Sequence, residues 1–353
     1  MNKAFEPYID RIEKEIKNIL PHSADNKWAE RSFGPLFKAV NEKHMAPLIE
    51  PSSQLVELGG KRWRPLLLVL TAKALNSSKE VTEKAYSLAP LVELVHTASL
   101  IHDDIEDKAD TRRGKPSAYL VYGEDTAINT GSWLYFQAVS GIASAGFSES
   151  EKVKIYESYF EELRRLHLGQ AMDIAWHRKK DFLPEKDEYL AMVMCKTGTL
   201  SSLAVRLGAL ASSASDEKIE ILTTSARQLG AGFQIIDDVI NITSGNAGKK
   251  RGDDIVEGKK SLPVILFAQN AVEKDLKTLE ECFKTASKDG IESPSVEKAI
   301  ALLENAGAIS LAKKEGIELI EKGISTMLSV LGENTESSLI KELFLGMIPK
   351  EAK

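Results

Sequence analysis

Two clusters of aspartate lie far apart in this chain, each at the end of an apolar stretch. The first is Asp103-Asp-Ile-Glu-Asp107 and the second is Asp237-Asp238. Asp103 and Asp107 are four residues apart, so a helix would place both carboxylates on one face. Such oxygen ligands suit Mg²⁺, which keeps part of its water shell and binds phosphate oxygens. An isolated cluster of this kind is also typical of a solvated acidic helix end.

Cationic residues follow each acidic cluster. Arg112 and Arg113 follow the first, and a lysine-rich loop that includes Lys249, Lys250 and Lys259 follows the second. We expect two acidic helix ends with cationic loops to hold a metal-bound diphosphate if they face one another across a cavity.

A third basic group lies at the start of a predicted helix. Gly59-Gly60 interrupts the chain, Lys61 and Arg64 follow, and Pro65 is typical of a first helical turn. Backbone N–H groups at a helix amino end favour an anion. A basic cap on a buried helix is the alternative interpretation.

The elements that position these residues are predicted to be helices. Period-two alternation is sparse, whereas apolar residues recur at helical spacing. We predict an all-α, single-domain bundle of long helices. The predicted helices are 8–20, 65–75, 82–108, 125–146, 149–176, 189–214, 216–243, 262–288, 296–322 and 324–332.

Composition narrows the possible functions. A hydrophobic content of 43% is sufficient for a large core, and a formal charge of -6 disfavours nucleic acid as a partner. Cys195 and Cys282 are too few for a disulfide framework. The amino terminus lacks the apolar core of a signal peptide, and we expect no transmembrane segment and a cytoplasmic location.

Six blocks of sequence together resemble the trans-type polyprenyl diphosphate synthases, and the geranylgeranyl diphosphate synthases in particular. In chain order the blocks are Gly59-Gly-Lys-Arg-Trp-Arg-Pro65, His102-Asp-Asp-Ile-Glu-Asp107, Arg112-Arg-Gly-Lys-Pro116, Lys196-Thr-Gly198, Phe233-Gln-Ile-Ile-Asp-Asp238 and Gly258-Lys-Lys-Ser-Leu-Pro263. The resemblance covers residues 59–263. It implies packing helices in residues 1–58, further helices in residues 264–353 and a central tunnel of the isoprenoid synthase type.

The resemblance also implies a reaction and its site residues. An allylic diphosphate would ionise, and isopentenyl diphosphate would attack the resulting cation. By the family's pattern, Lys61, Arg64, His96 and Arg113 would bind isopentenyl diphosphate, and Asp103, Asp107 and Asp237 would hold several Mg²⁺ ions, with Asp104 and Asp238 beside them. The diphosphate would also contact Arg112, Lys196, Lys259 and either Lys249 or Lys250, while Thr197 and Gln234 would line the path of the cation.

Some positions have a weaker interpretation. Gln170 and Asp173 are expected to support a lysine or a metal-bound water, and His167 and His177 are expected to be structural. Asn241 stands where many family members have aspartate, which implies either slightly weaker metal binding or a peripheral position.

Product length depends on side chains along the tunnel that the resemblance implies. Ala98 and Ser99 lie four or five residues before Asp103 and are small, so the tunnel is expected to stay open past farnesyl length. Tyr135 and Phe136 are the candidates for its floor, although an aromatic pair on a helix is also typical of an ordinary core.

Two other functions remain open from the sequence. A class I terpene cyclase has the same first motif and an all-α fold. The chain could also be a non-catalytic regulatory subunit of a heteromeric synthase, and such subunits tend to lose aspartates from the first motif. The segment after Asp237 lacks the cyclase's second metal motif, and the first motif here retains its aspartates. The family's homodimer is the expected assembly.

Overall fold

The structure is a computed structural model that describes residues 3–178, 183–245 and 250–348. Within these residues the fold is all-α, apart from one antiparallel pair of two-residue strands. The helices of the first half are α1 (Glu6–Ile19), α2 (Asn26–Phe33), α3 (Glu42–Glu57), α4 (Trp63–Leu75), α5 (Lys79–Glu106), α6 (Ala118–Tyr122), α7 (Glu124–Gln137) and α8 (Glu149–Arg178). The strands are β1 (Thr111–Arg112) and β2 (Lys115–Pro116).

The second half continues with helices and one π-helical turn. The π-helical turn is Met194–Gly198, which lies between α9 (Lys186–Val193) and α10 (Thr199–Ala211). The remaining helices are α11 (Asp216–Thr243), α12 (Asp253–Glu257), α13 (Leu262–Asn270), α14 (Glu273–Asp289), α15 (Pro294–Asn305), α16 (Ala308–Leu331) and α17 (Thr335–Leu345).

The chain divides into two compact units, each assembled from separate stretches. Unit 1 comprises Met1–Phe160, Leu203–Glu220 and Leu331–Ile340, and unit 2 comprises Glu161–Ser202, Ile221–Val330 and Lys341–Lys353. These boundaries differ from the three stretches expected from the sequence. The single-domain interpretation stays a prediction.

The helix that ends in the first acidic motif lies inside unit 1. Helix α5 packs against α1, α4 and α7. Leu88, Leu91, Val92 and Val95 on α5 are buried. Their burial removes apolar surface from water on several sides of the helix, which is typical of a central core helix. The carboxylates at its carboxyl end therefore project from a rigid support.

Unit 2 has a separate apolar core. It includes Ile235 and Ile242 of α11, Ile265 of α13, Leu279 of α14 and Ile300 of α15. The buried apolar side chains of α11 thus fix the position of the helix that carries Gln234, Asp237 and Asp238.

Three predicted helices are divided in the structure. The predicted helix 189–214 contains the π-helical turn, 262–288 separates into α13 and α14, and 296–322 is interrupted at Gly307. Gly307 has φ +72°, a left-handed conformation that ends a helix at little cost for glycine. Ala271 and Val272 adopt extended conformations between α13 and α14. Helices α2, α3 and α17 lie in the stretches 1–58 and 264–353 that the resemblance assigned to helices, although their bounds were not predicted, and α7 ends earlier than expected.

One stretch of the described residues, Lys186–Ala211, is long and apolar enough to span a membrane by length and composition. The expectation of no transmembrane segment stays a prediction. The most apolar window of this stretch is 67% buried, and core helices of soluble proteins also meet these criteria. The finding is therefore weak evidence for a membrane span.

Candidate active site

The first acidic motif contains two kinds of aspartate. Asp104 is buried, and its Oδ1 accepts a hydrogen bond from Arg112 Nε at 2.8 Å and a second from Nη2. Asp103 is half-buried and Asp107 is exposed at the end of α5. Asp104 thus holds Arg112, whereas Asp103 and Asp107 lie on the more accessible face.

The basic pair after this motif is carried by a hairpin. Thr111 pairs with Pro116 and Arg112 with Lys115, so Arg113 and Gly114 form a two-residue loop. Both loop residues have positive φ, +53° and +76°, as a type I′ turn requires. The Arg113 guanidinium donates to the carbonyl oxygens of Leu55 and Gly59. These bonds hold a non-glycine residue in a conformation that costs about 1 kcal/mol.

The predicted isopentenyl diphosphate site also lies in unit 1. Arg64 Nη1 is 3.4 Å from His96 Nε2, and the Arg64 guanidinium stacks 4.3 Å from the centre of the Trp63 ring. Burial, together with the nearby Arg64 and Arg113, holds the pKa of His96 well below its usual value. His96 is therefore a neutral imidazole at pH 7. Lys61 is exposed.

The predicted residues of unit 2 form a continuous chain of hydrogen bonds. Thr197 Oγ1 donates to Gln234 Oε1 at 2.9 Å, and Gln234 Nε2 donates to Asp238 Oδ1 at 2.9 Å. Lys259 Nζ donates to the same Asp238 oxygen at 2.8 Å. These contacts fix the orientation of the Gln234 amide.

The second acidic pair repeats the pattern of the first. Asp238 is buried and bonded to Lys259, whereas Asp237 is half-buried. Burial lowers the pKa of Lys259, but Asp238 and Asp254 outweigh it and raise the pKa well above the usual value. Lys259 therefore remains a cation at neutral pH.

Lys196 is positioned by α8. Its Nζ lies 2.6 Å from Asp173 Oδ2, and His177 Nε2 lies 3.3 Å from the other oxygen. Burial raises the pKa of Asp173, but Lys196 and His177 outweigh it and bring the pKa below its usual value. Asp173 thus supports the lysine directly, while His177 is its neighbour on the same helix.

A close backbone approach brings Lys196 to this position. A Cβ atom on Gly169 of α8 would lie 2.4 Å from the Lys196 nitrogen and 2.8 Å from the Cys195 carbonyl carbon. Only glycine at position 169 leaves room for the π-helical turn. Turns of this kind frequently occur at functional sites.

Two predicted residues at the lysine-rich loop differ in their placement. Lys250 is exposed, and its Nζ pairs with Glu292 at 2.9 Å. Lys249 lies outside the described residues. Asn241 is buried, and its Oδ1 accepts from the Asp254 nitrogen at 3.1 Å, so it anchors α12 to α11.

The candidate chain-length residues do not form one surface. Ala98 and Tyr135 are buried, and Ser99 is half-buried. Phe136 is 70% exposed in the single chain. Successive helical residues point about 100° apart, so Tyr135 faces the interior of unit 1 and Phe136 does not. Phe136 is therefore not part of an interior floor in the single chain.

Sequence reasoning missed two residues at this site. Tyr189 is buried and its hydroxyl donates to Asp238 Oδ2 at 2.8 Å. Asp254 lies 3.3 Å from Lys259. Tyr189 has no recognisable spacing from Asp238, because that contact forms between separate elements, whereas Asp254 lies five residues before Lys259.

The carboxylates fit a divalent cation that completes its shell with ligand oxygens. Within the described residues, no three His, Cys, Asp or Glu side chains lie close enough to hold a metal by themselves. Asp103, Asp107 and Asp237 are the more accessible aspartates of the two motifs, and carboxylate oxygens are the hard ligands that Mg²⁺ prefers. A diphosphate and water would provide the remaining ligands.

Comparison with known proteins identifies the family. The polyprenyl synthetase family model matches residues 46–303. The geranylgeranyl diphosphate synthase of Methanosarcina mazei is 35% identical over 306 residues, which cover 86% of this chain and 90% of that protein. The chain belongs to the polyprenyl synthetase family. It is a prenyltransferase that elongates prenyl diphosphate chains.

Solved structures have the same fold. Geranylgeranyl pyrophosphate synthetase from Pyrococcus horikoshii superposes with a TM-score of 0.84 and 27% identity, covering 98% of this chain and 97% of that chain. Polyprenyl synthase from Caulobacter crescentus, solved with calcium and isoprenyl diphosphate, has a TM-score of 0.78 and 22% identity, covering 98% and 95%. The latter likeness concerns the fold alone.

Proposed function

We propose that this enzyme condenses isopentenyl diphosphate head to tail with an allylic diphosphate and releases diphosphate, giving a product of geranylgeranyl length or longer. The observation that supports this most is the pattern of the two acidic motifs. In each, one aspartate is buried against a cation and its neighbour is more accessible. Such carboxylates suit metal ions that bind diphosphate.

Charge stabilisation of the departing diphosphate is the main catalytic need. Asp103, Asp107 and Asp237 would hold the Mg²⁺ ions. When bound, Mg²⁺ acts as a Lewis acid toward the diphosphate oxygens. Arg112 and Lys196 are already held by Asp104 and Asp173, so they can face developing negative charge without reorganisation.

The allylic cation is stabilised by nearby oxygen atoms of the protein, and water must be kept away from it. The Thr197 hydroxyl donates a hydrogen bond to Gln234 Oε1, which leaves its oxygen lone pairs available to the cation. Gln234 is fixed from its other end by Asp238. We assign proton removal to the released diphosphate, whose oxygen atoms carry the negative charge that the reaction develops.

The assembly that we propose is a homodimer. Helices α6, α7 and α8 leave large apolar side chains of unit 1 exposed, namely Leu120, Val121, Ile128, Phe136, Val153 and Phe160. Exposed apolar residues on neighbouring elements are typical of interaction surfaces.

The reaction is tested by product analysis. The purified protein is incubated with isopentenyl diphosphate, Mg²⁺ and dimethylallyl, geranyl or farnesyl diphosphate in separate reactions. We expect a longer linear diphosphate, loss of turnover with a chelator, and recovery with added Mg²⁺. A cyclic hydrocarbon would indicate a terpene cyclase, and an inert protein that activates a partner would indicate a regulatory subunit. Either outcome would contradict the proposal.

Product length is tested at α7. Tyr135→Ala removes a buried ring, so we expect longer products by chromatography. Phe136→Ala removes a ring that is 70% exposed in the single chain and is the matched comparison. Unchanged products from Tyr135→Ala would show that the chain stops elsewhere.

A further inference from the structure

Arg62 is a buried arginine between two predicted substrate-binding residues, Lys61 and Arg64. Its Nε donates to Glu13 Oε1 at 2.5 Å, its Nη1 to Glu93 Oε1 at 2.7 Å, and its Nη2 to the Val56 carbonyl at 2.6 Å. These partners belong to α1, α5 and α3. The guanidinium therefore connects three helices to the start of α4, and its donors are occupied by protein.

The backbone of Arg62 is strained. Its φ is +47°, in the left-handed region that costs a non-glycine residue about 1 to 2 kcal/mol. The hydrogen bonds of the side chain offset this cost. The same backbone conformation sets the direction in which the chain enters α4, and therefore where Lys61 and Arg64 lie.

Glu93 is the buried counter-charge of a cationic cluster. It is 3% exposed on α5. A Cβ atom on Gly60 would lie 3.1 Å from Arg113 Nη2 and 3.3 Å from Arg62 Nη1, so both guanidinium groups lie against the same glycine. Burial raises the pKa of Glu93 above its usual value, although Arg62, Arg64 and Arg113 oppose this rise. Without this carboxylate the guanidinium groups would repel one another in a poorly solvated region.

The cluster retains a donor without a protein partner. Arg64 Nε is buried and makes no hydrogen bond. Burial and the nearby Arg113, opposed by Glu93, together lower the pKa of Arg64 to about 10. Arg64 is still protonated at neutral pH. A buried, charged donor without an acceptor is costly, and an anionic ligand would relieve that cost.

We propose that Glu93, acting through Arg62, positions Arg64, His96 and Arg113 to bind the diphosphate of isopentenyl diphosphate, and so sets the KM for this substrate. The inference rests on the proposed function. Glu93 and Arg62 are positioning residues, since their contacts are with protein groups. Cations that are held in place before the diphosphate binds lose less conformational freedom on binding, which favours affinity.

The test measures the KM for isopentenyl diphosphate and the KM for the allylic diphosphate separately. In Glu93→Gln and Arg62→Met we expect the KM for isopentenyl diphosphate to rise about tenfold to a hundredfold, as for other small misplacements of binding groups. The KM for the allylic diphosphate and kcat at saturation should stay close to wild type. Isothermal calorimetry with isopentenyl diphosphate should show the same loss of affinity. Glu93→Asp retains the negative charge, so its affinity for isopentenyl diphosphate should lie between those of Glu93→Gln and wild type.

A matched control separates positioning from general stability. Glu151→Gln breaks another partly buried ion pair of unit 1, with Lys84 at 3.0 Å, and should change neither KM. If Glu93→Gln does not fold, Glu93→Asp and Arg62→Lys decide the question. Equal increases in both KM values, or unchanged values in a folded variant, would overturn the inference. Absence of condensation by the wild-type enzyme would instead contradict the proposed function.

Discussion

The two aspartates of each acidic pair have different surroundings and, we infer, different roles. Asp104 and Asp238 are buried and bonded to Arg112 and Lys259. Asp103 and Asp237 are half-buried. A buried carboxylate that already neutralises a cation is a poor metal ligand, because binding a metal would leave that cation without its partner.

Substitution should separate these roles. Asp103→Ala and Asp237→Ala should lower kcat by about a hundredfold or more through lost charge stabilisation, with the fold intact. Asp104→Asn should instead lower the free energy of unfolding by about 1 to 3 kcal/mol, because Arg112 loses a charged acceptor. Steady-state kinetics over a range of Mg²⁺ and urea titrations measure the two effects. Near-normal rates for Asp103→Ala at saturating Mg²⁺ would count against its assignment.

His96 should contribute to loss of stability in acid. Burial, reinforced by Arg64, keeps its pKa in the folded protein well below the ordinary value of 6.5. As the pH falls through 6.5, the unfolded chain binds a proton that the folded protein does not, so the free energy of unfolding decreases. His96→Gln removes this group. Its urea-measured stability should fall less steeply than that of wild type between about pH 7 and pH 5, and equal slopes would contradict the assignment.

At the scale of elements, the sequence predicted which segments are helical better than it predicted where the helices break. The predicted helix 82–108 is α5, and 216–243 is α11. By contrast, 262–288 divides at Ala271 and Val272, which have extended backbones; α13 is buried on most sides, whereas α14 has an exposed polar face. Both segments have apolar residues at helical spacing, so periodicity alone does not reveal the change of direction between them.

The π-helical turn is the element on which Lys196 and Thr197 depend. Gly169→Ala should displace it, since the added methyl group would overlap the Lys196 backbone. We expect reduced kcat and a destabilisation of about 1 to 3 kcal/mol, typical of overpacking. Gly146→Ala is the control, because a Cβ atom there meets nothing within 4 Å. Normal kinetics for Gly169→Ala would show that the turn tolerates displacement.

At the scale of the whole molecule, the proposed homodimer makes a prediction about exposed phenylalanines. Phe160→Glu places a charge on the exposed face of α8, and Phe37→Glu places one at a site that is 86% exposed. Burying an unpaired charge in an interface is costly. Sedimentation velocity should therefore show a monomer for Phe160→Glu and a dimer for wild type and Phe37→Glu. A dimer in all three proteins would exclude this face from the interface.

The sequence alone determined the all-α class and the residue types of the site, because helical periodicity and motif spacing are local properties of the chain. Tertiary structure decided which side chains are neighbours. The bond from Tyr189 to Asp238, the burial of Glu93 against Arg62 and the different exposure of Tyr135 and Phe136 have no local signal. Each depends on how separate elements pack, since burial and partner choice follow from contacts between residues distant in sequence.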